Sequence, residues 1–123
     1  MKIYVSHSRN FDYINELYKP LKEAGLALEF VFPHEQSSES FNSKELFEMH
    51  GCDYVLAEVS YSSTGQGIEL GWADIYGVKI MCFYKIGTSP AKSLNKITDK
   101  IIEYGDSLDL VNKLTNELQL NYA

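Results

Sequence analysis

Basic residues are scarce in this chain. Its 123 residues include 11 Lys and Arg against 17 Asp and Glu, which gives a formal net charge of −6. A surface that neutralises many phosphates needs clustered Lys and Arg, so the composition argues against long nucleic acid as a partner. A single nucleotide remains compatible, because backbone amides, hydroxyls and a helix dipole can hold one phosphate with little positive charge.

Cysteine and long apolar runs are also scarce. The two cysteines, Cys52 and Cys82, lie in apolar segments and share no metal-ligand spacing with the three histidines. We therefore expect buried, reduced thiols, no metal site and a cytoplasmic protein. No stretch approaches the ~20 apolar residues of a membrane span, and the start MKIYVSHS resembles a short strand more than a secretory signal. These absences argue against a membrane partner.

What the sequence does have is an alternation of apolar and amphipathic segments. Strands are predicted at residues 2–6, 26–33, 53–60, 78–84 and 100–105. Helices are predicted at 11–25 with a kink or break at Pro20, at 43–51 with Ser43 as the N-cap, at about 67–76 before Gly77, and over 108–118. Residues 34–40 form a polar segment that we expect to be a loop with freedom to move.

This alternation predicts one α/β domain over residues 1–123. Strands that alternate with helices form mostly parallel sheets with helices on both faces, and five strands suit a flavodoxin-like, doubly wound order. In such sheets ligands bind beyond the carboxyl ends of the strands, where the strand order reverses. The segments that leave the strand ends all carry hydroxyl or basic groups: SHSRN, PHEQSSES, SYSSTGQG and KIGTSPAKS.

The loop after the third predicted strand has the composition of an anion-binding site. It combines hydroxyl groups with glycines that let a ligand approach the backbone. Its members are Ser60, Ser62, Ser63, Thr64, Gly65 and Gly67. No Lys-Ser or Lys-Thr follows, so it is not a Walker loop. Loops rich in Gly and Ser also serve simply as turns, and the composition leaves both interpretations open.

Glu69 follows this loop and falls in the first turn of the predicted helix. There it would face the ligand crevice, and the helix dipole would favour its ionised form. An ionised, partly desolvated carboxylate is a competent nucleophile towards an electrophilic sugar carbon. Acidic residues are also favourable in first turns for dipole reasons alone, so position does not decide between a reagent and a stabilising charge.

The stretch DYVLAEVSYSSTGQGIELGWA, residues 53–73, resembles the signature of the nucleoside 2-deoxyribosyltransferase superfamily. It is most similar to the branch of 2′-deoxynucleoside 5′-monophosphate N-glycosidases, with an acidic start to a buried strand, a serine-bearing loop and the element Gly-x-Gly-x-Glu-Leu-Gly. Weaker similarity runs from KIYVSHSR to Ser93. The resemblance implies that Glu69 attacks the anomeric carbon of the sugar, expels the base and forms a glycosyl ester, with no cofactor.

The resemblance also implies where the rest of a nucleotide binds. Ser63 and Gly65 match the groups that hold the 5′-phosphate, and Ser93 matches a serine that a neighbouring subunit often contributes. Arg9 is the nearest counterpart of an arginine after the first strand, and Tyr4 matches a tyrosine that hydrogen-bonds near the nucleophile. A homodimer or higher homo-oligomer is therefore expected, and nine tyrosines, six phenylalanines and one tryptophan would supply an apolar interface.

Where the family has an aspartate eight residues before the acid that opens the buried strand, this chain has Glu45 before Asp53. Glu45 is our candidate for protonating the departing base, with Tyr4 holding Glu69 in place. The segment SHS at residues 6–8 also differs from the glycine-containing loop of the phosphohydrolase branch.

Other polar and aromatic side chains have both a functional and a structural interpretation. His7 follows the first strand and is a candidate substrate contact, or else a solvated or capping residue. Trp72 and Tyr76 line either the base pocket or the core. Glu58 reaches either the site or the adjacent loop.

The sequence favours an enzyme that cleaves the base–sugar bond of a nucleoside or deoxynucleoside 5′-monophosphate through a glycosyl-glutamate intermediate. A nucleoside 2-deoxyribosyltransferase, in which a second base replaces water, is the alternative within the same chemistry. A TIR-like NAD glycohydrolase is a further alternative, because YVSHS followed by a helix resembles the opening of TIR domains. A nucleotide sensor without turnover is the non-enzymatic alternative.

Overall fold

The computed structural model describes residues 1–35 and 41–119, and within them five strands form one sheet. The strands are β1 Lys2–His7, β2 Glu29–Val31, β3 Tyr54–Glu58, β4 Lys79–Lys85 and β5 Ile101–Tyr104. All run parallel, in the order β2-β1-β3-β4-β5. The chain passes from β1 to β2 on one side, then crosses to β3 on the other side. The predicted flavodoxin-like, doubly wound fold is confirmed.

Helical segments cover both faces of this sheet. They are a π-helical segment Ile14–Tyr18, α1 Lys19–Glu23, α2 Ser43–Glu48, α3 Thr64–Ile75, a 3-10 helix Lys92–Lys96 and α4 Ser107–Leu118. Successive strand residues point to opposite faces, so each face builds its own core. The core that contains Ile3 packs against the first helical segments and α4, and the core that contains Tyr4 packs against α2 and α3.

The central strands are buried because helices cover both of their faces. Val55, Leu56 and Ala57 of β3 are each 0% exposed, as expected for the continuous apolar run of a parallel strand. Cys52 and Cys82 are buried free thiols, as predicted, and burial raises their pKa to about 11 and about 12. Within the described residues, no helix has the length and apolar character needed to cross a membrane.

The first helix continues past Pro20 without the predicted break, but its hydrogen-bond pattern changes there from π-helical to α-helical. The π-helical segment begins at Ile14, later than the predicted residue 11, and α1 continues from Lys19. In a regular α-helix the amide at position 20 would bond the carbonyl of Glu16, but proline has no N–H. The hydroxyl of Ser107 donates to that carbonyl instead, at 3.1 Å. A contact from α4 thus satisfies an acceptor that proline leaves free.

Strand β2 and helix α2 are both shorter than the sequence predicted. Strand β2 pairs with β1 only over Glu29–Val31, although residues 26–33 were predicted. The N-cap of α2 is Asn42, not Ser43, because the Asn42 side chain accepts a 3.0 Å hydrogen bond from the Glu45 amide. The helix ends at Glu48, and His50 adopts a positive φ of 52°. The predicted loop at 34–40 lies outside the described residues after position 35.

Helix α3 begins three residues earlier than predicted. Its N-cap is Ser63, whose hydroxyl accepts a hydrogen bond from the Gln66 amide at 3.3 Å. Gly65 and Gly67 therefore lie in the first turn of the helix and not in a loop. The prediction that Glu69 lies in the first turn is consequently wrong, because the cap at Ser63 moves it into the second turn, where the dipole effect is weaker. Gly77 ends the helix with a φ of 75°, as predicted.

Candidate active site

A cavity of about 360 Å³ opens beside the point where the strand order reverses, between β1 and β3. Segments that follow β1 and β2 line it together with the beginnings of α2 and α3. The lining residues are Tyr4, His7, Arg9, Pro33, His34, Phe41, Ser43, Ser63, Gly65, Gln66, Ile68, Glu69 and Trp72. The location agrees with the rule that ligands bind where strand order reverses in doubly wound sheets.

Glu69 lies in this cavity with two hydroxyl groups bound to the same carboxylate oxygen. The Tyr4 hydroxyl donates to Glu69 Oε2 at 2.8 Å, and the Ser43 hydroxyl donates to the same atom at 2.7 Å. Tyr4 is 1% exposed, and its burial together with the neighbouring Glu69 charge holds the pKa of Tyr4 far above its usual value of 10. Tyr4 therefore stays protonated and acts as a hydrogen-bond donor. Glu69 Oε1 has no hydrogen-bond partner among residues 1–35 and 41–119.

The amino end of α3 forms one wall of the cavity. Ser63 and Gly65 both lie on this wall, and a Cβ at Gly65 would meet no atom within 4 Å. The amides of Thr64 and Gly65 are the first two of the helix, and no described residue accepts a hydrogen bond from them. Arg9 is exposed and lies at the same cavity. These donors and this cation suit an anionic group.

His7 is buried at 6% exposure, so the alternative of a solvated residue is wrong. Its Nδ1 lies 2.7 Å from the Ser8 carbonyl and therefore donates, which makes Nε2 the acceptor for the Tyr18 hydroxyl. Burial lowers the pKa of His7 to about 4, so the ring is neutral near pH 7. Both ring nitrogens are occupied, and His7 presents its ring to the cavity without a free nitrogen.

His34 follows β2 and lines the cavity with its imidazole ring. The Tyr18 hydroxyl accepts a 3.4 Å hydrogen bond from the His34 amide, which ties the segment after β2 to β1 through His7. Burial, and then the positive charge of Arg9, lower the pKa of His34 below its usual value of 6.5. The side chain has no hydrogen-bond partner within the described ranges. His34 is thus a titratable group that faces the cavity with its nitrogens available.

Several lining residues were not identified from sequence as site residues. Phe41, Pro33 and Ile68 add apolar surface, and Gln66 donates to the Glu58 carbonyl at 2.9 Å. The one sequence feature that pointed to these residues was their place in segments near the ends of predicted strands. Trp72 and Tyr76 both pack against the core that contains Tyr4, and Trp72 also lines the cavity.

The structure does not bring Glu45 into the cavity. Its side chain is exposed and accepts a 3.2 Å hydrogen bond from the Asn42 amide group at the start of α2. Glu45 therefore belongs to a capping arrangement of the helix. Ser43, and not Glu45, lies at the position of this helix that lines the cavity, so the structure gives no contact for the predicted role of Glu45 beside the departing base.

Gly67 and Ser93 lie at a second cavity, of about 310 Å³, next to the start of α3. Ser63 and Gln66 contribute to both cavities, so the two share a wall. Within one chain, Gly67 and Ser93 are not among the residues that line the cavity of Glu69.

Glu58 accepts hydrogen bonds from the adjacent loop, which was one of the two positions predicted for its side chain. Its carboxylate accepts from the Ser60 amide at 2.7 Å and from the Ser60 hydroxyl at 2.9 Å, and it also accepts from the Tyr104 hydroxyl. Glu58 is 1% exposed. Burial and the Glu58 contact raise the pKa of Tyr104 above its usual value. This network fixes the segment that leads from β3 to Ser63.

A solved structure shares this fold. The chain is similar to the structure of Clostridium botulinum CMP N-glycosidase, BcmB, with a TM-score of 0.62 and 21% sequence identity, over 93% of this chain and 98% of that chain. No protein-family model matches the sequence, and no curated protein is detectably similar to it. The structural likeness establishes a common fold for the two chains.

Proposed function

We propose that the protein is an N-glycosidase that cleaves the base–sugar bond of a nucleoside or deoxynucleoside 5′-monophosphate. The observation that carries this proposal is the Glu69 carboxylate, held by the Tyr4 hydroxyl at 2.8 Å in a cavity whose wall is the amino end of α3. The proposal assigns residues 1–123 to one deoxyribosyltransferase-like domain. The name of the solved structure with the same fold, a CMP N-glycosidase, supports this choice of reaction.

In the proposed reaction the Glu69 carboxylate is the nucleophile. One carboxylate oxygen forms a bond to C1′ of the sugar while the bond from C1′ to the base breaks. Water then attacks C1′ and releases Glu69, so that two inversions give net retention at C1′. Tyr4 cannot take the nucleophile's role, because its raised pKa keeps it protonated. It orients the carboxylate instead.

The phosphate of the substrate binds at the amino end of α3. The free amide of Gly65 and the helix dipole favour an anion there, and Arg9 adds a positive charge. Ser63 supplies a hydroxyl at the same wall. Because the chain as a whole is acidic, these local donors favour one small anion over a polyanion.

Protonation of the departing base is assigned to His34 in place of Glu45. Among the described residues, the cavity contains no carboxylic acid besides Glu69, and both nitrogens of His7 are occupied. His34 lines the cavity with its ring nitrogens available. The apolar surface of Phe41 and Trp72 gives the base a surface on which to pack.

Ser93 contributes to the phosphate site from a second copy of the chain in this proposal. In its own chain it lies at the second cavity, with Gly67. A mixture of an inactive Glu69→Ala chain and a Ser93→Ala chain would then recover activity, because one of the mixed sites retains both residues.

A panel of substrates tests the proposed function. Nucleosides, 5′-monophosphates and NAD are incubated with and without a second free base, and the products are separated by chromatography. Free base from a 5′-monophosphate supports the hydrolase, and transfer to the added base supports a deoxyribosyltransferase. Nicotinamide release would instead support an NAD glycohydrolase.

The Glu69→Gln variant and a matched control complete this test. Glu69→Gln should lose turnover and keep ligand binding, whereas Asp74→Asn, which neutralises an exposed acid on the same helix, should behave as wild type. Full activity of Glu69→Gln would exclude the mechanism. Nucleotide binding with no product from wild type would favour a sensor, an alternative supported by the position of Glu45 outside the cavity.

A further inference from the structure

One oxygen of the Glu69 carboxylate carries two hydrogen bonds, and the other carries none from the described residues. Tyr4 and Ser43 both donate to Oε2, at 2.8 and 2.7 Å. The Tyr4 contact was expected, but the Ser43 contact was not. Two hydroxyls on one oxygen distinguish the two oxygens chemically, and Oε1 is the one that is neither hydrogen-bonded by the described residues nor buried.

The Asn42 cap and the packing of Phe47 hold α2 so that the Ser43 hydroxyl points at Glu69. Asn42 caps the helix with its own side chain, so the Ser43 hydroxyl is not used as a cap. Phe47, one turn later, is 0% exposed and packs edge-on against the Tyr4 ring, with the ring centroids 5.3 Å apart. Ser43 itself is 2% exposed. Ser43 and Tyr4 are thus held together on one side of the carboxylate.

We propose that Ser43 is a positioning residue that makes Oε1 the attacking atom and assists the breakdown of the glycosyl ester. This inference rests on the proposed function. In the first step the bond between Oε1 and C1′ forms and the bond from C1′ to the base nitrogen breaks. The nitrogen takes the bonding electron pair and a proton. Oε2 then becomes the carbonyl oxygen of the ester, still within reach of both hydroxyls.

The second step is where the Ser43 hydrogen bond gains strength. Water attacks C1′, the bond between C1′ and Oε1 breaks, its electron pair returns to the carboxylate, and a proton passes to solvent. Negative charge returns to both oxygens of Glu69 as the bond breaks, and a hydrogen bond to a charged oxygen is stronger than one to a neutral carbonyl. In the first step the carboxylate loses charge, so the same hydrogen bond gives no advantage there.

This asymmetry predicts that the two steps differ in their sensitivity to the loss of the Ser43 hydroxyl. Removing the Ser43 hydroxyl should slow ester breakdown by about tenfold, the loss typical of one hydrogen bond to a charged group. Ester formation should be slowed less, because Tyr4 still orients the carboxylate. A purely structural role for Ser43 would slow both steps alike.

The experiment isolates the ester with a 2′-fluorinated 5′-monophosphate, which slows both steps enough for the glycosyl enzyme to be purified. Mass spectrometry measures the rate of its formation and, after the analogue is removed, the rate of its decay. The variants are Ser43→Ala and the nearly isosteric Ser43→Cys, whose thiol is a weak donor and which preserves the packing if alanine does not. Asn42→Ala is the matched control, since it weakens the start of α2 without removing a hydroxyl from Glu69.

The expected result is slower ester decay in both Ser43 variants, with formation less affected and with Asn42→Ala decaying as wild type. Unchanged decay in the Ser43 variants, or equal slowing of both steps, would overturn the role of Ser43 and leave the proposed function standing. Slow decay in Asn42→Ala would assign the effect to the helix and also overturn it. Absence of any ester on the wild-type enzyme, together with no base release, would refute the proposed function itself.

Discussion

The Tyr4 hydroxyl donates a 2.8 Å hydrogen bond to the carboxylate of Glu69, a residue 65 positions further along the chain. Strand β1 supplies the donor and helix α3 supplies the acceptor. Parallel strands β1 and β3 pair directly, and α3 follows β3, so the connection brings the two side chains to the same edge of the sheet. The contact joins the two halves of the doubly wound fold at the proposed reaction centre.

Replacing Tyr4 with phenylalanine tests this contact. The variant keeps the ring that packs against Phe47 and removes only the donor to Glu69. We expect kcat/KM to fall by up to about a hundredfold, because the donor that orients the carboxylate towards C1′ is gone and a small misplacement of a reacting group costs a loss of that order. Tyr54→Phe, at the opposite end of the sheet, is the control and should keep full activity. Equal rates for Tyr4→Phe and wild type would remove Tyr4 from the mechanism.

The sequence predicted the parallel sheet and the residues that lie where its strand ends meet. The alternation of apolar and amphipathic segments predicted the parallel sheet, and the resemblance to the deoxyribosyltransferase signature implied the contact between Tyr4 and Glu69; both are present in the structure. The start of α3 was misplaced because glycines were interpreted as loop residues. The Ser63 cap shows that they begin the helix.

Ser43 faces the cavity of Glu69, where Glu45 was predicted to lie. Sequence spacing alone does not determine which residue of a helix faces the site. Two residues are about 200° apart around an α-helix, so the two side chains point in nearly opposite directions. Which one faces Glu69 depends on how α2 packs, and Phe47 decides this by packing on the Tyr4 ring. That contact is tertiary and leaves no local pattern in the sequence.

The amino end of α3 is tested by a pair of glycine substitutions. Gly65→Ala and Gly71→Ala both place a Cβ where no atom lies within 4 Å, and both glycines lie in α3. Helix propensity predicts that each variant is as stable as wild type or more stable, by up to about 1 kcal/mol. Only Gly65 lines the cavity, so only Gly65→Ala should raise KM for a 5′-monophosphate. An unchanged KM in Gly65→Ala would move the phosphate away from this wall.

The proton donor to the departing base is tested by comparing His34→Ala with Glu45→Gln. General acid catalysis contributes about 10²–10⁴-fold to the rate, so the kcat/KM of His34→Ala should be strongly lowered. The kcat/KM of Glu45→Gln should be nearly that of wild type, because the Glu45 side chain is exposed at the start of α2. The protonated imidazole is the acid, and its pKa is lowered, so wild-type kcat/KM should fall as pH rises through a value below 6.5.

Two further measurements check this assignment. His34→Ala should lose that pH dependence, and substrates whose bases leave without protonation should be less impaired by the substitution. If Glu45→Gln were the impaired variant, the assignment to His34 would be wrong.

The lowered pKa of His7 predicts that the folded protein loses stability in mild acid. Its pKa is about 4 in the folded protein and 6.5 in the unfolded chain, so the unfolded chain binds the proton first as pH falls. The stability contribution is complete above pH 6.5 and decreases towards pH 4, by up to about 3 kcal/mol. Chemical denaturation of wild type and His7→Gln across this range measures it. The stability difference between them should shrink as pH falls, and a constant difference would contradict the prediction.

Two buried serines, Ser6 in β1 and Ser8 just after it, allow the stability effects of an unpaired and a paired hydroxyl to be compared. Ser6 is 0% exposed, and its hydroxyl has no hydrogen-bond partner among the described residues, whereas the Ser8 hydroxyl accepts from the Asn10 amide at 3.0 Å. Burying an unsatisfied hydroxyl costs about 1–3 kcal/mol, so Ser6→Ala should leave the free energy of unfolding unchanged or raise it. Ser8→Ala should lower it by about 1 kcal/mol, because the Asn10 amide loses its acceptor. Denaturant titration of both variants decides the matter: a Ser6→Ala protein less stable than Ser8→Ala would mean that the Ser6 hydroxyl is bonded in solution.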